Sequence, residues 1–235
     1  MHFFLEAFSK AFQLIVSLDR ELLGIILMSL RVSGSALLIS AAAGVLLSVL
    51  LGFARLPLKN MIITLLQTCM GLPPVVVGLF VYLLLSRSGP LGFMGLLYTP
   101  SAMIAAQTVL AFPIVVSLCY SAIVSVDPVI RVASRTLGAT PLQEALAVIR
   151  EARYGMMSGI IAAFGRVMAE VGAILIVGGN IAGYTRVMTT TIALETDKGN
   201  FELALALGMI LLSVSFSINL LMHLLQRKGQ AGRLS

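Results

Sequence analysis

Apolar runs long enough to cross a hydrocarbon core dominate this chain. Residues 60–85, 102–124, 156–180 and 201–225 each reach the roughly 20 residues that a membrane-crossing helix needs, and a further run begins at Leu22 or Val32 and ends at Phe53. Lipid cannot hydrogen-bond an exposed backbone, so such runs must be helices or the strands of a closed barrel. Barrel strands alternate apolar and polar residues, and these runs do not. The chain has 59% hydrophobic and 11% charged residues, against roughly a quarter charged in soluble domains. The expected fold is therefore all-α and polytopic: a single membrane domain over residues 1–235 with five spans, or six if the N-terminal segment also crosses.

The run from Leu22 to Phe53 is too long for one untilted span. Arg31 interrupts it, so residues 22–30 are expected to form a lead-in turn, with Arg31 snorkelling at the interface. Ahead of it, Phe4, Phe8, Phe12 and Ile15 repeat at helical spacing, with Glu6, Lys10, Gln13 and Ser17 opposite. Residues 1–20 thus read as a helix lying in the membrane interface, with no basic leader or small-residue cleavage site. Pro73-Pro74, bracketed by Gly71 and Gly78, kinks or breaks the second span. Five spans put Arg55, Lys59, Arg131, Arg135, Arg150, Arg153, Arg227, Lys228 and Arg233 on one side and Lys10, Arg20, Arg87, Arg186 and Lys198 on the other. The richer side is cytoplasmic by the positive-inside rule, which places the N-terminus outside and the C-terminus inside. The net charge of +6 thus reflects topology and anionic lipid rather than nucleic acid.

Catalytic patterns are missing. The sequence has no Gly-x-Ser-x-Gly, no His-Glu-x-x-His and no Gly-Lys-Ser/Thr, and its two histidines, His2 and His223, stand at opposite ends. No metal site, catalytic residue or nucleotide site is expected. Cys69 and Cys119 lie within apolar runs, as small hydrophobes do. The ionisable residues that stand out inside a span are Arg166 and Glu170, spaced to face each other on one side of a helix. Such a pair either contacts a passing ion or neutralises itself to hold helices together.

One large polar island, residues 127–154, stands among the spans on the cytoplasmic side. Asp127 followed by Pro128 is a helix start, Gly138 a helix stop, and Thr140 with Pro141 a second start. Ile130, Ala133 and Leu137 share one face of the first short helix, and Arg131 and Arg135 project from another. Leu142, Ala145, Leu146 and Ile149 make an apolar stripe on the second. The two helices form an elbow bent about Ala139.

Helix, Leu-Gly-Ala at 137–139, then Thr-Pro and a second helix resembles the coupling loop of the permease subunits of bacterial ABC importers, which docks in a cleft of the cytoplasmic ATPase. The family pattern opens with Glu-Ala-Ala, where this chain has Val132, Ala133 and Ser134. It often closes with Leu-Pro, where this chain has Arg150-Glu151. Residues 164–172 (Phe-Gly-Arg-Val-Met-Ala-Glu-Val-Gly) and 177–180 (Val-Gly-Gly-Asn) resemble elements of molybdate and sulfate permeases. Residues 72–79, 89–92, 185–196 and 198–208 are similar to the tungstate-type permeases.

The resemblance implies a type I importer permease in a bacterial or archaeal cell membrane, paired with a second copy of itself about a central pathway. Two ABC ATPases would bind ATP and Mg below it, with no cofactor in this chain, and an extracytoplasmic binding protein would deliver a tetrahedral oxyanion, tungstate first among them. Arg131, Ala133, Ser134, Arg135, Gly138, Ala139, Pro141, Leu142, Ala145, Leu146 and Ile149 would meet the ATPase. Asn180, Arg186, Thr189, Thr190 and Thr191 would offer hydrogen-bond donors near the outer mouth, unless the threonines cap or pack an extracellular helix, and Arg166 and Glu170 would stand deeper in the path. The alternative is a secondary transporter or channel for small anions, which leaves the doubly capped elbow without a purpose.

Overall fold

The computed structural model describes Ser9, Phe12, Gln13, residues 20–54 and residues 57–231, the last seven by backbone alone. The N-terminal interfacial helix expected over residues 1–20 lies outside the described residues apart from Ser9, Phe12, Gln13 and Arg20. So does Arg55 of the charge comparison.

The first span is one helix, α1 (Arg20–Phe53), 34 residues long. At 1.5 Å per residue it measures about 50 Å, well beyond a hydrocarbon core of about 30 Å. The expected lead-in turn at 22–30 is therefore corrected. Leu22, Ile25, Ser29 and Val32 form one buried helical stripe, and an exposed Arg31 on the far side does not disturb it. No proline interrupts the run, and a lone charge facing away from the packed side has no power to end a helix.

The helix α4 (Pro100–Val124) is the centre of the molecule, capped by Thr99, whose hydroxyl accepts from the Ala102 N–H. Small residues let its neighbours approach closely. A Cβ at Gly44 of α1 would stand 2.8 Å from Val115, and one at Gly159 would stand 2.8 Å from Leu118. Gly159 belongs to α6 (Pro141–Met168), which also packs on α4.

Two spans are broken. α2 (Lys59–Cys69) and α3 (Pro74–Leu85) meet at a bend of 103° across Pro73-Pro74, as the proline pair foretold. The fourth span departs from expectation at both ends. It begins inside the polar island as the 28-residue α6, then stops at Met168 and resumes as the short α7 (Gly172–Gly178) at a bend of 58°. The island therefore holds one short helix, α5 (Pro128–Thr136), and the start of one long one. The segment expected as an outer loop contains α8 (Met188–Asp197), and α9 (Phe201–Ala231) closes the chain. Among the described residues three helices are long and apolar enough to cross a membrane, and five spans result if each bent pair counts as one.

Packing forms three clusters among the described residues. One joins Val77, Val81 and Leu85 of α3 to Met103 and Ala106 of α4 and Ala173 and Ile174 of α7. A second, toward the elbow, joins Val115, Cys119 and Ile123 of α4 to Val148, Ala152 and Phe164 of α6. The third ties Leu22 and Ile25 of α1 to Met188 of α8 and to Ala206, Leu207 and Ile210 of α9.

Candidate functional site

The elbow is built from local hydrogen-bond chemistry. Asp127 Oδ1 accepts from the Val129 N–H at 2.8 Å, and Pro128 occupies the first helical position, where a missing N–H costs nothing. At the other end of α5 the Ala139 N–H donates to Ser134 O and the Gly138 N–H to Arg135 O, each at 3.0 Å. This paired closure requires a left-handed residue, and Gly138 sits at φ +80°. Thr140 then starts α6 with a reciprocal cap. Its hydroxyl accepts from the Gln143 N–H, and Gln143 Oε1 accepts from the Thr140 N–H at 2.8 Å.

A two-pronged ion pair fixes the angle between the two helices. Arg135 Nε and Nη2 donate to Glu144 Oε2 and Oε1 at 2.8 and 2.9 Å. These hydrogen bonds hold the Glu144 carboxyl below the usual carboxylate range despite its burial. The Arg131 guanidinium stacks 4.9 Å from the Phe53 ring, tying α5 to the end of α1.

Much of what this frame presents outward is apolar. Leu137 is 86% exposed and Leu142 71%, with Val129, Val132 and Leu146 also exposed. The expected stripe on α6 divides. Leu142 and Leu146 face out, Ala145 is half-buried, and Ile149 packs against the second cluster. On α5, Ile130 packs inward, Ala133 and Leu137 face out, and Ser134 donates to Ile130 O at 2.8 Å. Arg135, Gly138 and Pro141 are exposed and Ala139 half-buried. Val129, Val132 and the Glu144 partner of Arg135 were not anticipated. The two valines do not continue the chosen face, and the ion pair needs the elbow's three-dimensional bend.

The second candidate region is the break between α6 and α7. Arg166 Nη1 stands 3.3 Å from Glu170 Oε2, so the expected pair forms, but across the end of α6 rather than along a continuous helix. Glu170 is only 3% exposed. Its other oxygen accepts from the Ala173 N–H at 3.0 Å, satisfying an orphan donor at the start of α7, and its carbonyl accepts from Thr189 Oγ1 at 2.9 Å. The fully buried Gln107 of α4 donates to Val167 O at 3.1 Å and to Ser33 Oγ at 3.4 Å, joining α1, α4 and the break. Gln107 and Ser33 were not singled out in the sequence; a lone amide inside a run such as 102–124 is the signal that would have found them. Backbones approach closely here too, since a Cβ at Gly78 would lie 2.7 Å from Ala173 Cα.

In the third region the threonines pack against the fold. Thr189, Thr190 and Thr191 are buried, and their hydroxyls donate to Glu170 O, Val187 O and Val187 O at 2.9, 3.0 and 2.7 Å. Hydroxyl protons committed to backbone carbonyls are not donors waiting for an anion. Asn180, at φ 51°, donates to Thr190 O at 3.5 Å. Of this group, Arg186 reaches open space. Its Nη1 lies 3.9 Å from Glu21 Oε1 beside a cavity of about 330 Å³ that Lys198 and Glu195 also line.

Comparison with known proteins places these features. The chain is 42% identical over 228 residues to the tungstate uptake system permease protein TupB of Peptoclostridium acidaminophilum, covering 97% of this chain and all of that protein. It is 47% identical over 205 residues to a probable anion ABC transporter permease protein of Haloferax volcanii, covering 85% of this chain and 88% of that one. In structure it resembles a chain of a bacterial ABC transporter involved in import of the acidic polysaccharide alginate, with a TM-score of 0.74 at 19% identity, covering 92% of this chain and 83% of the other. Residues 44–229 match the family described as binding-protein-dependent transport system inner membrane component. By that match and by its full-length relatives, the chain belongs to this family of ABC importer permeases.

Proposed function

We propose that this permease carries a tetrahedral oxyanion, tungstate, into the cell as one of two copies in an ATP-driven importer. An extracytoplasmic binding protein supplies the anion, and ABC ATPases, which hold ATP and Mg, dock at the elbow. The observation that carries the substrate is the end-to-end similarity to a tungstate permease. The anion permease of Haloferax volcanii supports the same class. The basic side chains around the elbow support a cytoplasmic face there and an external N-terminus.

The geometry supports a simple transmission. The elbow's outward leucines suit a cleft on a soluble partner, since an exposed apolar patch of this kind marks an interaction surface. α6 runs unbroken from the elbow to Met168, about 40 Å, and ends at the break held by Glu170 and Gln107. A push on the elbow is thereby carried to the middle of the membrane, where two helices are interrupted. Such breaks between packed bodies are where a two-state rocking motion is absorbed.

Because α6 is continuous with a span, the docking test needs point substitutions rather than a deletion across residues 140–149. The double variant Leu137→Glu/Leu142→Glu should fold in the membrane yet lose co-purification with its ATPase. Retained co-purification would place the docking surface elsewhere.

A further inference from the structure

The helix α2 divides into three sectors. Ile62, Ile63, Leu66, Cys69 and Met70 face the protein, and Met70 packs against the cluster of α4 and α6. Met61 and Leu65 are exposed and apolar, 69% and 63% open, as lipid-facing residues are. Asn60, Thr64, Gln67 and Thr68 are also exposed. At 100° per residue they share a single sector beside the apolar one.

α2 and α3 together are long and apolar enough to make one bent span, which puts this polar sector in a membrane-crossing segment. Lys59 Nζ stands 5.5 Å over the ring of Tyr120, near the elbow end of α4. α2 rises from there, so Gln67 stands about 12 Å further along the helix. The two threonines satisfy themselves, since Thr64 Oγ1 donates to Asn60 O and Thr68 Oγ1 to Thr64 O, each at 2.9 Å. Gln67 has no such escape. Its amide needs both donors and acceptors, and no side-chain hydrogen bond reaches it among the described residues. An amide facing hydrocarbon in that state is strongly disfavoured. Intramembrane polar groups line aqueous cavities or pair with other polar groups.

We infer that the Asn60–Thr64–Gln67–Thr68 side of α2 lines the water-filled, elbow-proximal half of the anion's path. The Asn60 and Gln67 amides suit that place, because they can donate to a passing oxyanion without a fixed charge to trap it, while the threonine oxygens keep lone pairs for water. The inference rests on the permease reading and not on which anion is carried.

The test is thiol accessibility in the assembled transporter, with permease, ATPase and binding protein in native membranes. Cys69 and Cys119 are first replaced by alanine. Single cysteines then go in as Thr64→Cys, Gln67→Cys, Met61→Cys and Leu65→Cys. A membrane-impermeant methanethiosulfonate is added from the elbow side without nucleotide. Thiolates react and lipid-facing thiols stay protonated, so positions 64 and 67 should be modified at least about tenfold faster than 61 and 65. Equal rates at all four positions would overturn the inference. So would faster modification at positions 61 and 65 than at 64 and 67. Labelling reads water and not cargo, so it can fail with tungstate uptake intact, and uptake can fail with the labelling pattern intact.

Discussion

Replacing Gly138 isolates the elbow from everything around it. A Cβ at this position would meet nothing within 4 Å, so the added methyl has no steric cost of its own. The whole penalty is the backbone: φ is +80°, and an L-residue held in the left-handed region pays about 1–2 kcal/mol. That is roughly a 5- to 30-fold loss in the ratio of closed to open elbow, and the closed form is the one in which the Ser134 and Arg135 carbonyls accept from the turn. The ATPase should bind the Gly138→Ala permease more weakly by the same factor, while the spans melt as before. The series should rank Gly138→Asn mildest, because asparagine tolerates this region, then Ala, then Val. Binding of the purified ATPase to permease in lipid nanodiscs measures this, with thermal unfolding of the spans as the control. Unchanged affinity for Gly138→Val would refute the claim that the bent elbow is the docked form. Loss of the folded spans in Gly138→Ala would refute its local character.

Other perturbations separate the remaining parts. Gly78→Ala forces a methyl to within 2.7 Å of the Ala173 backbone, and should destabilise the purified permease by about 1–3 kcal/mol, read as a lowered melting temperature in detergent. Thr189→Val removes a buried hydroxyl bond to Glu170 O. It should cost about 1 kcal/mol of stability with no change in the KM for anion uptake, whereas a donor to the anion would raise KM. The depressed Glu144 carboxyl stabilises the elbow fully above the ordinary glutamate pKa of about 4.3 and loses that contribution as pH falls through its own lower value. ATPase binding should therefore show no step from this pair between pH 8 and pH 5, and Glu144→Gln should weaken binding throughout that range.

The elbow was legible because its instructions are local. Asp127, Pro128, Gly138, Thr140 and Pro141 each act within four residues, and each does in the structure what its type and position dictate. The break at Pro73-Pro74 was legible for the same reason. The break after Met168 was not, because no proline marks it and its supports, Gln107 and Thr189, come from other helices. Polarity also misled in two places. The charged residues at 150–154 suggested that a helix ended where α6 continues, and Arg31 suggested an interruption in an unbroken α1. A charge placed on an exposed face tells nothing about whether the backbone stays helical. The threonine cluster stayed open between two readings for a related reason: sequence supplies the hydroxyls, while burial decides whom they bond.

ATP-driven import of an oxyanion is read by uptake into proteoliposomes. Vesicles would contain this permease with its ATPase inside and its binding protein outside, and would be offered tungstate, molybdate and sulfate in parallel. Accumulation should require ATP, require the binding protein and favour tungstate. Accumulation driven by an ion gradient without ATP would contradict it, leaving the elbow as a structural turn.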